Sequence, residues 1–173
     1  MGISPSKKKR SYYKSRADSR HLNQLYEINK KCLGKGQFGK VFQAHNKSDS
    51  SIKVAIKVID KSGMSQQEFQ DLKNEVAMIS EVDHPHIVKY YETYDDTKYI
   101  YLVMELCTGG ELFSRIISGK HVDERQASTW FRYLLKALTH LHQQNIFHRD
   151  IKPENIMFSG EEDIIKLIDF GLS

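Results

Sequence analysis

The spacing of apolar residues changes along this chain, and each change marks an element. Residues 1–21 are polar, basic and Ser-rich with little to bury, and read as a disordered tail. Order is expected from about Leu22, with a strand-like run through Tyr26, Ile28 and Leu33. Gly34, Gly36 and Gly39 punctuate it before a second strand, Lys40 to His45. The polar stretch Asn46 to Ser51 turns the chain into a third strand, Ile52 to Ile59. There Ile52, Val54, Ile56 and Val58 share one face, and Ala55 and Lys57 the other. Ser65 and Glu68 form a capping-box signature for a helix whose core face carries Phe69, Leu72, Val76 and Ile79, with His84-Pro85 as its stop. Strands Ile87 to Thr93 and Tyr99 to Glu105 flank a turn at Asp95-Asp96. The period then becomes helical: Ala127, Trp130, Phe131, Leu134, Leu135, Leu138 and Leu141 trace one broad stripe. Short strands are expected around Ile146, at Ile156-Met157 and at Ile164 to Ile168. Five strands with one helix, followed by helices with short strands, predict two lobes.

Composition narrows the class without choosing a function. The 173 residues are 39% hydrophobic and 28% charged, which suits a soluble globular protein. No apolar run approaches the roughly 20 residues of a membrane helix, and the N-terminus lacks an apolar signal-peptide core. Cys32 and Cys107 are isolated and give neither metal spacing nor a disulfide framework, so a cytoplasmic location is the default expectation. The net charge of +4 is modest, and much of it sits in Lys7-Lys8-Lys9-Arg10. Without basic clustering elsewhere, nucleic acid is not an expected partner.

Three motifs carry chemistry. Gly34-Lys35-Gly36-Gln37-Phe38-Gly39-Lys40-Val41 fits G-x-G-x-x-G-x-V. Glycine lets backbone approach phosphate oxygens closely, although a lone match is as often a plain hairpin. A dinucleotide-binding fold would need a helix straight after the third glycine, and Lys40 to Ala44 reads as a strand. A hairpin folding over a nucleotide fits better. Val54-Ala55-Ile56-Lys57 places a lysine in an apolar strand, where a buried ammonium needs a partner. Glu75, on the shoulder of the next helix, is the expected one, and the pair would hold the lysine on phosphates. Last, His148-Arg149-Asp150-Ile151-Lys152-Pro153-Glu154-Asn155 fits H-R-D-x-x-x-x-N, and Asp169-Phe170-Gly171 follows. Asp150 suits the acceptance of a hydroxyl proton, Lys152 the balance of charge, and the oxygens of Asn155 and Asp169 a hard Mg²⁺ ion. His148 is expected to be a buried structural histidine.

Together and in this order, the motifs resemble the protein kinase family from about Tyr26 to Ser173. The resemblance implies an α+β, bilobal fold. Residues 22–105 would form a complete N-lobe, a five-stranded antiparallel sheet plus one helix, αC. Residues 106–173 would form the hinge and the first part of a helical C-lobe. It implies ATP and Mg²⁺ as cofactors, with Asp150, Lys152, Lys57 and Glu75 in the catalytic set. Leu33, Val41, Ala55 and Met157 would sandwich the purine, and the loop Gly34–Gly39, including Lys35, Gln37 and Phe38, would cover the phosphates. Met104 resembles a gatekeeper, Glu105 and Cys107 would offer backbone groups to adenine, and Glu111 would reach the ribose. Lys152, two residues after Asp150, resembles the serine/threonine branch.

Met104 to Phe113, followed by Arg115-Ile116, is most similar to the calcium/calmodulin-dependent group, and above all to the calcium-dependent protein kinases of plants and protists. Glu111 and Glu154 resemble acidic positions that read basic residues near a target serine or threonine; they also read as plain solvated acids. Protein substrates in basic contexts are thus the expected partners. Members of the family continue past this point with an activation loop and further helices, so the chain is expected to be the ATP-binding front part of the domain. It is expected to expose core surface, to be marginally stable and to phosphorylate protein poorly. The competing reading is a non-catalytic nucleotide-binding or regulatory fragment. No D-x-[DN]-x-[DN]-G loop is present, so a direct calcium site is not expected. Met1-Gly2-Ile3-Ser4-Pro5-Ser6 fits an N-myristoylation pattern, and Lys7 to Arg10 would add an electrostatic signal for membrane association. The alternatives there are a solvated tail and a nuclear-import patch.

Overall fold

The computed structural model describes residues 19–36, 39–118, 122–160 and 163–169. The tail before residue 19, Gln37, Phe38 and Phe170-Gly171 therefore lie outside the described residues. The chain opens with helix α1 (Ser19–Leu25), which leads directly into β1 (Tyr26–Gly36). Next come β2 (Gly39–Asn46), β3 (Lys53–Asp60), helix α2 (Gln66–Ile79), β4 (Tyr90–Asp95) and β5 (Tyr99–Glu105). The five strands form one antiparallel sheet in the order β1-β2-β3-β5-β4. Beyond it lie α3 (Leu112–Ile117), α4 (Glu124–Gln143) and a hairpin of β6 (Ile156–Phe158) with β7 (Ile165–Leu167).

Alternation along β3 decides what the sheet does. Val54 and Ile56 point into a cluster on the outer face, where Leu22 of α1 is 1% exposed. Ala55 and Ile59 point into the larger inner cluster with Leu72, Val76 and Ile79 of α2. Both faces are therefore dry, and Lys57, on the inner side, is only 4% exposed. The expected start of order at Leu22 needs correction, since residues 19–21 already belong to α1. Seven residues with two leucines are too few to show a helical period; burial of Leu22 on the sheet holds them.

Helix α2 begins as expected. Ser65 Oγ accepts the Glu68 N–H, and Glu68 Oε2 accepts the Ser65 N–H at 2.7 Å. Ser65→Ala should cost about 1 kcal/mol through the lost cap. That would lower Tm by about 2–4 °C in a chain of this size. Glu68→Gln should be nearly silent, because glutamine completes the same box. Equal Tm values for Ser65→Ala and the parent would disprove this.

Several element boundaries differ from the expectation, most by a residue or two. Helix α2 stops at Ile79, five residues before His84, where the Glu81 N–H turns to Met78 O and the Val82 N–H to Ile79 O in place of the helical pattern. The third strand starts at Lys53, which leaves Ile52 in the turn and 49% exposed. The fourth starts at Tyr90 rather than Ile87, and Ile87 instead forms a parallel bridge with Leu167. Ile146 is not in a strand. Asn145 takes a left-handed φ of 58°, its N–H donates to His142 O, and the Ile146 N–H donates to Leu141 O. That is a Schellman closure of α4, and asparagine is among the few non-glycine residues that adopt it readily.

The apolar stripe of α4 is covered along one edge. Trp130, Ala137 and Leu141 are buried, and Leu134 and Leu138 pack partly against the core. Phe131 is 62% and Leu135 49% exposed, as expected of a chain that leaves core-like surface open.

Candidate active site

Between the sheet and the α4–β7 half lies a cleft of about 410 Å³, within the range of small-molecule sites. Leu33, Gly34, Lys35 and Gly36 of β1, Val41 of β2, and Ala55 and Lys57 of β3 form its roof. Met104, Glu105 and Cys107 line the connecting side, and Glu111 and Met157 the floor. Asp150, Lys152, Glu154, Asn155 and Asp169 gather at one end. Nearly every site residue expected from the sequence thus meets in one cavity.

The register explains how β3 contributes. Ala55 pairs with Met104 and Lys57 with Leu102 across β5, so the lysine projects from the face that looks into the cleft. Met104 is in turn the partner of Tyr90 on β4. The hairpin tip reaches down over the opposite wall: a Cβ added at Gly36 would lie 3.7 Å from Asp169 Oδ2. Gly39 is off the lining, and its need for glycine is steric. A Cβ there would sit 2.1 Å from the Val58 carbonyl oxygen, so any side chain would push β2 off β3.

The loop 148–155 is organised by its own hydrogen bonds. Asp150 Oδ2 accepts from Lys152 Nζ and from Asn155 Nδ2, each at 2.8 Å. The lysine first, and the asparagine next, hold the Asp150 carboxyl below its ordinary range. His148 is 2% exposed. Its Nε2 bonds the Ile168 carbonyl at 2.9 Å, which requires the proton on Nε2, and Nδ1 then accepts the Asp150 N–H at 3.3 Å. Burial holds the imidazole pKa down. The neutral ring ties the loop to Ile168, between the end of β7 and Asp169, as the structural reading of His148 anticipated. Arg149 and Asp169 both take left-handed φ angles, 62° and 52°. Such conformations cost about 1–3 kcal/mol each and persist where their surroundings enforce them.

One expected contact is not made. Lys57 Nζ is paired with Asp169 Oδ1, and no ion pair between Lys57 and Glu75 occurs among the described residues. Glu75 does not line the cleft. Burial pushes its carboxyl up from 4.5 to about 7, against the pull of Arg149 and Lys57. Desolvation disfavours the charged form of Glu75 and so makes it a weaker competitor for the ammonium.

The donors present fit the group expected of them. With Asn155 Nδ2 engaged by Asp150, its Oδ1 remains as an acceptor, and Asp169 Oδ2 faces the hairpin tip. Two oxygens and no sulfur or imidazole suit Mg²⁺ better than a softer ion.

Four lining residues had no signal of their own in the sequence: Val88, Tyr90, Leu106 and Ile168. Leu106 lies between two expected residues, and Ile168 directly precedes Asp169, so adjacency could have found both. Val88 and Tyr90 fall in the expected strand Ile87 to Thr93; Val88 lies before β4 begins, and the irregular register between Tyr90 and Glu92 breaks the alternation that would give Tyr90 a face.

Known proteins share this arrangement. A family profile described as protein kinase domain matches residues 26–173. Calcium-dependent protein kinase 5 of Plasmodium berghei (strain Anka) is 43% identical over 154 residues, covering 88% of this chain and 27% of that protein. Calcium/calmodulin-dependent protein kinase type 1 of Macrobrachium nipponense is 45% identical over 148 residues, covering 84% of this chain and 43% of that one. The crystal structure of Rad53 1–466 in complex with AMP-PNP superposes with a TM-score of 0.79 at 30% identity, over 88% of this chain and 40% of that chain. The chain spans less than half the length of these relatives. The profile runs through every strand and helix that lines the cleft, and the chain belongs to the protein kinase domain family.

Proposed function

We propose that this chain binds ATP with Mg²⁺ in the cleft and transfers the terminal phosphoryl group to serine or threonine of protein substrates with basic residues near the target. The observation that carries the reading is the convergence of Lys57, Asp150, Asn155 and Asp169 on one end of a single cavity. ATP would supply the phosphoryl group and the metal its charge neutralisation. The chain's own residues divide the rest. Lys57 would hold phosphate oxygens from the roof. Asn155 and Asp169 would hold the metal. Asp150, ionised and pinned from two sides, would orient the attacking hydroxyl and take its proton, while Lys152 balances charge beside it. Glu111 and Glu154, both exposed at the cleft, would meet basic side chains of a substrate. The similarity to calcium-dependent and calcium/calmodulin-dependent kinases supports a place in calcium signalling.

A second reading, nucleotide binding without transfer, is favoured by the exposed Phe131 and Leu135 on α4. An unpartnered apolar face weakens the half that carries Asp150 and Asp169. Radiolabelled transfer from ATP to a serine peptide flanked by arginines separates the two. The phosphotransfer reading expects labelled peptide and Mg²⁺-dependent ATP binding. ATP binding without labelling at high enzyme concentration would leave the binding module.

A further inference from the structure

Lys166 is a charged residue where a charge is expensive. It sits in the middle of β7, three residues before Asp169, and is 9% exposed. Its Nζ meets Glu105 Oε2 at 2.8 Å. Glu105 ends β5 and opens the segment 105–107 on the connecting side of the cleft. The ion pair therefore joins the two halves of the molecule directly.

Between its two ends runs the segment 86–89, bonded to both. The Val88 N–H donates to Leu167 O and the Leu167 N–H to His86 O, each at 2.9 Å. On the other side the Glu105 N–H donates to Lys89 O at 2.8 Å, and the Lys89 N–H donates to Glu105 Oε2 at 3.2 Å. Backbone bonding is thus continuous from β5 through 86–89 to β7, and the Lys166–Glu105 pair spans it from edge to edge.

Stability alone is a poor account of this pair, because an apolar couple of similar size generally serves as well in a buried position. Geometry is a better one. Strands β6 and β7 have three residues each, and a hairpin that short does not hold its own place. Asp169 follows almost at once, in a left-handed conformation, so its aim depends on where β7 is fastened.

We propose that Lys166 and Glu105 are a positioning pair that fixes the metal-binding carboxylate of Asp169 relative to the segment that faces adenine. The proposal rests on the phosphotransfer reading, because it assumes that Asp169 holds Mg²⁺. In free-energy terms the pair couples metal and nucleotide binding, so breaking it should reduce the gain in ATP affinity that Mg²⁺ brings.

The test compares ATP affinity by calorimetry in Mg²⁺ and in EDTA, for the full chain and four variants. In the parent, the ratio of the two affinities defines the coupling. Lys166→Met strands the Glu105 carboxylate and should melt lower as well as lose coupling. Glu105→Leu combined with Lys166→Met removes both charges and should melt no lower than the parent, yet keep the coupling reduced about five- to tenfold. Glu105→Gln keeps side-chain size and should lose coupling from the other side, while Lys166→Arg should restore most of it. A purely structural pair predicts that coupling recovers with Tm in the double variant; that result, or an unchanged ratio in Glu105→Gln, overturns the proposal. Failure of the parent to bind ATP at all would overturn the phosphotransfer reading and the proposal with it.

Discussion

Asp150→Asn should lower phosphoryl transfer about 10²- to 10⁴-fold, the usual worth of a positioned proton acceptor. ATP affinity should stay within about twofold, since uniform binding is untouched. Asparagine keeps the size of the side chain and an oxygen for Lys152 and Asn155, so the loop should keep its shape and Tm should not move. The large factor follows from what the structure does to this carboxyl. Lys152 and Asn155 both donate to Oδ2, and both favour the ionised form. The carboxylate therefore stays charged well into the acid range, and the rate should show no acid limb from Asp150 above its ordinary pKa. A base with so low a pKa is a weak one, which assigns its main contribution to orienting the hydroxyl. Rapid-quench measurement of peptide phosphorylation would check this. A loss below about tenfold would remove Asp150 from the transfer step.

Much of this site could be read from the sequence because its residues sit in short, rigid contexts. The capping box at Ser65 and Glu68, the alternation of Val54 to Lys57 and the eight-residue loop from His148 to Asn155 each carry their geometry locally. In the fold, Ser65 and Glu68 cap α2, Val54 and Ile56 face one cluster and Ala55 the other, and Asp150, Lys152, Glu154 and Asn155 line one cleft. Features that depend on distant partners were not legible. Helix α1 exists because Leu22 finds the outer face of the sheet. Phe131 and Leu135 share a helical stripe with buried neighbours, and periodicity cannot tell which edge of a stripe is covered. The Lys57–Asp169 pair, formed in place of the expected Lys57–Glu75 pair, is of the same kind. Sequence shows that a buried ammonium needs a carboxylate, but Glu75 and Asp169 both qualify, and only the fold shows which one lies at Lys57 Nζ.

That choice leads to the second large effect. Lys57→Met should lower ATP affinity about 10- to 100-fold, the worth of charge-assisted bonds to phosphate oxygens. Its effect on folding should be small, since it removes a buried charge and leaves Asp169, a half-exposed carboxylate, to water. Asp169→Ala should destabilise more, because the ammonium stays buried at 4% exposure. Part of that loss would be recovered through Glu75, a carboxyl within electrostatic range of Lys57. When Lys57 leaves Asp169 for phosphate oxygens, Glu75 is the carboxyl that can steady it, and it must ionise to do so. Its pKa is about 7 with Lys57 held by Asp169, against 4.5 when unperturbed. An acid raised in the folded state loses stability as pH climbs through 4.5 to 7, so the nucleotide-free chain should weaken over that window. Binding restores the missing partner, so ATP affinity should rise with pH between about 6 and 8, with proton release near neutral pH. Calorimetry in buffers of different ionisation enthalpy reads that proton directly, and Glu75→Gln should erase both the release and the pH slope. A parent chain whose binding heat is the same in every buffer would show that Glu75 keeps its charge state throughout.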